Sequence, residues 1–131
     1  MNSIEIRTGA REILVDITAE VERIVAASGV KTGVCVVTVP HTTAGVTVNE
    51  NADPDVQADI VMALRRAVPD SLGFAHAEGN GPAHVKTALV GSSTTLIVEG
   101  GALKLGTWQG VYLCEFDGPR TRHAWVQVLG K

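Results

Sequence analysis

The chain is poor in the residues that would commit it to several common kinds of protein. It has two cysteines in 131 residues, Cys35 and Cys114. They are too few and too far apart for a disulfide framework or a zinc knuckle. Each lies in an apolar stretch, Val34-Cys35-Val36-Val37 and Leu113-Cys114-Glu115, so both read as buried, reduced thiols of a cytoplasmic protein. Aromatic residues make up only 4%, which leaves the core to Val, Ile, Leu and Ala. Basic residues do not exceed acidic ones: the formal charge is −3. With no basic face to displace counterions, nucleic acid is not an expected partner. No apolar run reaches the ~18 residues of a membrane span, and no charged-then-apolar leader is visible, so no membrane association is expected. Neither a Walker loop nor a Gly-x-Gly-x-x-Gly fingerprint occurs.

What is present suits one domain over residues 1–131, since 45% of the chain is hydrophobic and 19% charged. Ile4 to Arg7 and Glu12 to Ile17 read as strands around a Thr8-Gly9-Ala10 turn. Thr18 is the expected cap of a short helix with Val21, Ile24 and Val25 on its apolar face and Gly29 as its stop. Gly33 to Val39 is a continuous β-branched run, expected as a strand buried on both faces and ended by Pro40. Val46 to Val48 is a further strand. Asp53-Pro54-Asp55 is the strongest helix start, with an N-cap, a proline at the first position and an acid in the first turn. That helix carries Val56, Ile60, Leu64 and Ala67 and ends before Pro69. A glycine-rich loop over Leu72 to Pro82 precedes a helix from Ala83 to Val90. Strands are expected at Thr94 to Val98, Val111 to Phe116 and Ala124 to Leu129. Seven or eight strands with about three helices in mixed order give an α+β fold with mixed or antiparallel sheets.

Three of the four histidines stand in turns rich in glycine, threonine and carboxylates. His41 opens His41-Thr42-Thr43-Ala44-Gly45, whereas His76 and His84 bracket a segment containing Glu78, Gly79 and Asn80. Three imidazoles brought together would hold a divalent metal and leave a fourth position open, with Glu78, Glu50 or Asp53 completing or orienting the shell. Asp53 and Asp55 are explained by helix capping, but Glu50 lies before the cap, where no helix asks for an acid. A Mg²⁺ shared with a substrate phosphate needs only one or two such carboxylates. Asp117-Gly118 reads as a surface hairpin signal. Beyond it, Arg120 and Arg122 would clamp phosphate oxygens, with Lys86, Thr42 and Thr43 as further donors. Trp108 and Gln109, between Gly106 and Gly110, suit either a core tryptophan or a stacking surface for a flat heterocycle.

Taken in order, His41-Thr42-Thr43-Ala44-Gly45, Asn49-Glu50-Asn51-Ala52-Asp53-Pro54-Asp55, His76-x-Glu78-Gly79-Asn80-x-x-x-His84, Leu105-Gly106-Thr107-Trp108-Gln109-Gly110 and Glu115-Phe116-Asp117-Gly118-Pro119-Arg120 resemble the YjbQ-like family, the secondary thiamine-phosphate synthase enzymes. The resemblance implies a cytoplasmic homotrimer with clefts near subunit boundaries and a divalent metal, Zn²⁺ or Mg²⁺, at His41, His76 and His84. It implies weak joining of a hydroxymethylpyrimidine pyrophosphate to a thiazole phosphate with release of pyrophosphate. His41, Glu50, His76 and Arg120 would then carry the chemistry, and Thr42, Thr43, Asn49, Lys86, Trp108, Gln109 and Arg120 would hold the phosphorylated substrate. Two rivals use the same residues: a metal-dependent hydrolase of a small phosphorylated molecule, and a non-catalytic trimeric metabolite-binding protein.

Overall fold

The computed structural model of the protein describes residues 1–131. Eight strands divide into two antiparallel sheets. β1 (Asn2–Arg7), β8 (Thr121–Gly130), β3 (Thr32–Thr38), β5 (Ser93–Glu99) and β6 (Ala102–Lys104) form a five-stranded sheet in that spatial order. β2 (Ile13–Asp16), β7 (Gln109–Glu115) and β4 (Ala44–Glu50) form the second. Three α-helices, α1 (Thr18–Ser28), α2 (Pro54–Ala67) and α3 (Gly81–Val90), complete an α+β architecture.

Period-two alternation fixes which side of each strand meets the core. Ile4 and Ile6 of β1, Cys35 and Val37 of β3, Leu96 and Val98 of β5, and Ala124 and Val126 of β8 point inward. There they meet Ala44 and Val46 of β4 and Val111 and Leu113 of β7. Val21 and Val25 of α1, four residues apart on one helical face, are fully buried in the same cluster. A second, smaller cluster lies on the opposite face of the three-stranded sheet. In it Leu14, Tyr112, Cys114 and Phe116 pack with Ala83 of α3 and with Ile60, Val61 and Leu64 of α2.

The strand buried on both faces is therefore β7, whose residues from Gly110 to Glu115 are all buried, and not β3 as its β-branched run suggests. β3 is central in its sheet, but no helix covers the outer face, so Val34 and Val36 are only half-buried. Beside them Ile97, Trp125 and Leu129 are exposed. β6 is a three-residue edge strand, too short to show a period.

Helix signals largely hold. Asp53 accepts the Asp55 N–H at 2.9 Å, with Pro54 in the first turn of α2. Gly29 ends α1 in the left-handed conformation. Thr18 is not a cap but the first helical residue: its backbone N–H is taken by Asp16 Oδ1 at 2.9 Å, and its hydroxyl oxygen accepts the Val111 N–H at 2.9 Å. No helix is long and apolar enough to cross a membrane.

Candidate functional site

Three passages of the chain meet at one end of the two-sheet sandwich. From β3 it crosses through Val39–Thr43 into β4 of the other sheet. From β7 it returns through Phe116–Arg120 to β8, and from α3 it reaches β5 through Gly91 and Ser92. Asp117-Gly118 thus joins two sheets and is not a hairpin, because β7 and β8 have different partners. Backbone bonds tie the passages together: Val39 N–H to Ser92 O at 2.7 Å, Val46 N–H to Gly91 O at 3.0 Å and Phe116 N–H to Thr43 O at 3.2 Å. The approach is close enough to require glycine. A Cβ at Gly118 would stand 2.3 Å from the Ala10 carbonyl oxygen, and one at Gly45 would stand 2.5 Å from that of Gly91.

Beneath these passages lies a buried ion pair. Glu115 continues the inward phase of Leu113 on β7, and Arg122 continues that of Ala124 on β8, so the two face each other between the sheets. Arg122 Nε donates to Glu115 Oε1 at 2.8 Å, and Nη2 donates to Glu115 Oε2 and to Thr43 Oγ1, the latter at 2.8 Å. Thr8 Oγ1 donates to Glu115 at 2.7 Å, and the Asp117 N–H donates at 3.0 Å. Burial pushes the Glu115 carboxyl up, but these donors together more than offset it, and the net shift is downward. Arg122 Nη1 has no partner within the chain.

Above the pair opens a cleft of about 630 Å³ whose thirteen lining residues include one hydrophobic side chain. His41, Thr42, Thr43, Glu78, Asn80, His84, Asp117, Arg120 and Arg122 all reach it. The N–H of His123 in β8 points towards the place where β3 would continue had Pro40 not ended it. His41 fills that gap: its Nε2 accepts the His123 N–H at 3.0 Å. Burial first, then the positive charge of Arg122 and then His123, hold His41 below the usual 6.5 and keep it neutral near neutral pH. His84, at the start of α3, faces the same cleft. His76 folds back onto it, as the loop sequence suggests, with ring centroids 5.0 Å apart in an edge-on arrangement. His76 Nε2 lies 3.7 Å from Glu78 Oε2, yet His76 itself lines neighbouring depressions and not the main cleft.

Asn80 marks the wall of the cleft. Its Nδ2 donates to Asp117 Oδ2 at 2.9 Å, which fixes the amide orientation and leaves Oδ1 buried without a donor. An unsatisfied buried acceptor costs about 1–3 kcal/mol. Asp117 also accepts from Arg120, through its carbonyl oxygen at 2.7 Å and its carboxylate at 3.0 Å.

The remaining expected residues lie elsewhere. Lys86 follows His84 by two positions, roughly 200° around the helix, and points away from the cleft. It is buried and paired with Glu12, so it is no anion-binding donor there. Asn49, Glu50, Trp108 and Gln109 gather at the far end of the three-stranded sheet, where Glu50 stands opposite Gln109. That end is separated from Thr43 by the seven residues of β4, a span of about 20 Å. Trp108 is neither a core residue nor part of the cleft: it is 64% exposed on a turn. Gln109 turns back to accept the Gly106 N–H at 2.8 Å.

Read from the sequence, Arg122 faces a phosphate; in the fold two of its nitrogens hold Glu115 and Thr43, and Glu115 and Asn80, which stand in the family motifs, have no role in that reading. A signal existed for the pair, since an arginine in phase with Ala124 and Val126 and a glutamate between Cys114 and Phe116 are charges placed at core positions. Asn80 stands in the motif between His76 and His84, but no local signal gives its side chain a role.

The three-histidine metal expectation does not fit this single-chain arrangement. No three His, Cys, Asp or Glu side chains converge on one point in the chain, and the Nε2 lone pair of His41 is already engaged. The orphaned Asn80 oxygen suits a donor hydrogen or a cation equally.

The model of the YjbQ-like proteins, UPF0047, matches residues 2–131. The chain is 50% identical over 126 residues to UPF0047 protein MJ1081 of Methanocaldococcus jannaschii, covering 96% of this chain and 91% of that one. It is 46% identical over 131 residues to UPF0047 protein YugU of Bacillus subtilis, covering 99% of each. The crystal structure of an uncharacterised YjbQ/UPF0047 protein from Clostridium acetobutylicum superposes with a TM-score of 0.96 at 48% identity, over 98% of this chain and all of that one. A protein of unknown function from Sulfolobus solfataricus does so with a TM-score of 0.96 at 36% identity, over 99% and 96% of the two chains. With nearly its whole length matched in sequence and in backbone, the chain belongs to the YjbQ-like family, UPF0047.

Proposed function

We propose that the protein is a small enzyme acting on a phosphorylated metabolite held in the cleft between His41, His84, Asn80 and Arg120. The observation that carries this reading is the buried, donorless Oδ1 of Asn80 in the wall of a cleft otherwise lined by hydroxyls, imidazoles and guanidinium groups. Leaving an acceptor buried and unpaired is unfavourable, and a ligand N–H or O–H is the natural partner. Arg120 is half-exposed at the rim and suits a terminal phosphate.

Thiamine phosphate formation is the activity we assign. Expelling pyrophosphate from a benzylic-type carbon requires donors aimed at the departing oxygens. Arg120 and the neutral His41 supply such donors here, and His84 is placed to handle a proton of the ring amino group. A divalent ion, Zn²⁺ or Mg²⁺, enters the proposal only as one carried in with the ligand's phosphate oxygens. The proposal includes a homotrimer, supported by the exposed Ile97, Trp125 and Leu129 on the uncovered sheet face.

The test incubates the protein with hydroxymethylpyrimidine pyrophosphate and thiazole phosphate and separates the products. One joined product with stoichiometric pyrophosphate supports the assignment. Phosphate or pyrophosphate released from either compound alone, without joining, replaces it with a hydrolase. Binding without turnover leaves a metabolite-binding protein. Light scattering during size exclusion reads the trimer, and a monomer at micromolar concentration removes it.

A further inference from the structure

Resting on that cleft as the ligand site, we infer that His41 meets the ligand as a neutral Nδ1–H donor, neither base nor metal ligand, and that with Arg122 Nη1 it seats one anionic oxygen.

β8 pairs with β3 as far as Trp125 opposite Thr38, and β3 ends there as the chain turns through Val39 and Pro40 towards β4, so the ladder offers no carbonyl to the His123 N–H. A backbone N–H left without a partner is unfavourable, and His41 Nε2 satisfies it at 3.0 Å. An imidazole nitrogen that accepts a hydrogen bond carries no proton, so the proton of the neutral ring resides on Nδ1. Metal binding through Nε2 would take the lone pair that holds the His123 N–H. Binding through Nδ1 would require an imidazolate. Base catalysis fails for the same reason, since the only free nitrogen already bears its proton.

Nδ1 has no acceptor in the chain, although the ring lines the cleft. The second donor is Arg122, a side chain only 5% exposed. Its Nε and Nη2 are consumed by Glu115 and Thr43, while Nη1 has no protein partner and the residue reaches the same cleft. A guanidinium held by a buried carboxylate cannot swing out, so its free N–H groups are a fixed feature of the floor. Two preorganised donors, one neutral and one cationic, match a phosphate or carboxylate oxygen, and a neutral imidazole donating to such an oxygen is a known electrostatic device.

The experiment uses ¹⁵N-histidine-labelled protein and inorganic pyrophosphate as the probe. Long-range ¹⁵N–¹H spectra at neutral pH are expected to show His41 with Nδ1 protonated and Nε2 bare, and pyrophosphate is expected to shift Nδ1. His41→Gln retains an acceptor where Nε2 stood and loses the donor. His41→Asn retains a donor where Nδ1 stood and loses the acceptor. The Gln variant should bind pyrophosphate about ten- to a hundredfold more weakly, the cost of one hydrogen bond to a charged group. The Asn variant, if its thermal unfolding is cooperative, should stay within about threefold of the parent. Arg122 is tested by Arg122→Lys, which should weaken pyrophosphate at least about tenfold. An Nε2–H tautomer, or a Gln variant that binds as the parent does, overturns the inference while leaving the cleft as a ligand site. An Nδ1–H tautomer with no response of His41 or His84 to pyrophosphate overturns both the oxygen seat and the ligand reading beneath it.

Discussion

Two buried ion pairs hold this protein together, and they differ in what they leave over. Arg122–Glu115 joins the two sheets beneath the cleft, with side chains 5% and 0% exposed. Lys86–Glu12 joins α3 to the start of β2, with side chains 4% and 8% exposed. The ammonium of Lys86 is a compact charge whose one hydrogen-bond partner in the chain is the Glu12 carboxylate, which also takes Arg65 at 2.9 Å. The guanidinium of Arg122 is a planar fork that binds Glu115 with two nitrogens, fixes the His41–Thr43 turn through Thr43, and still presents a third nitrogen. Equal burial therefore does not mean equal role. The lysine closes a structural joint, while the arginine does that and also floors a site.

The comparison breaks most sharply at Arg122. Arg122→Met should cost about 3–5 kcal/mol in urea unfolding, because Glu115 is left buried without a cation, with only the neutral donors of Thr8 and Asp117. Arg122→Met with Glu115→Leu should recover most of that loss while pyrophosphate binding stays absent. Such a pair of results separates the structural role from the site. Acid strikes both pairs together. Glu115 and Glu12 are each raised by burial and lowered more by their cationic and hydrogen-bonding partners, so both titrate below the ordinary 4.5 when folded. Their contribution is complete above the unfolded value and is lost as pH falls through the lower folded values. Urea midpoints should fall slightly as pH drops below the ordinary histidine value, because His41 is held below it in the fold, and then drop steeply below the ordinary carboxylate value. A midpoint that stays flat over that range would show that neither carboxylate gains from its partner.

Lys86→Met should cost less than the arginine variant, about 1–3 kcal/mol, because Glu12 keeps Arg65. Pyrophosphate affinity should not change, and a loss there would return Lys86 to the site. The smallest expected stability effect is at Arg120, whose pair with Asp117 is half-exposed at the rim. Arg120→Ala should change unfolding by less than about 1 kcal/mol yet weaken pyrophosphate about tenfold. Arg120 and Arg122, two positions apart, would then show opposite balances of stability against binding.

Short-range chemistry was legible in the sequence. Asp53-Pro54-Asp55 started α2, Gly29 stopped α1, Pro40 ended β3, and the spacing of His76 and His84 around a glycine loop brought their rings together. Each of these depends on a side chain's own backbone preference or on neighbours a few residues away. The reading failed where a residue's meaning depends on a distant partner. Lys86 looked like a free cation until Glu12 arrived from 74 positions away. The sequence shows Arg122 as a phosphate clamp but hides Glu115, which faces it from the other sheet and takes two of its nitrogens, and Trp108 reads as a core residue or a stacking surface at the site.

Backbone preference and hydrophobic period are local properties, so most of the elements, their polarity and the family motifs can be read along the chain alone. That the motifs divide between two ends of a sheet follows from packing between distant segments. The same packing makes three chain crossings gather His41, His84, Asn80 and Arg120 around one cleft. It also sets His41 to present Nδ1–H, because a lone pair is committed by the atom it meets, and the N–H it meets belongs to a strand 82 residues further along the chain.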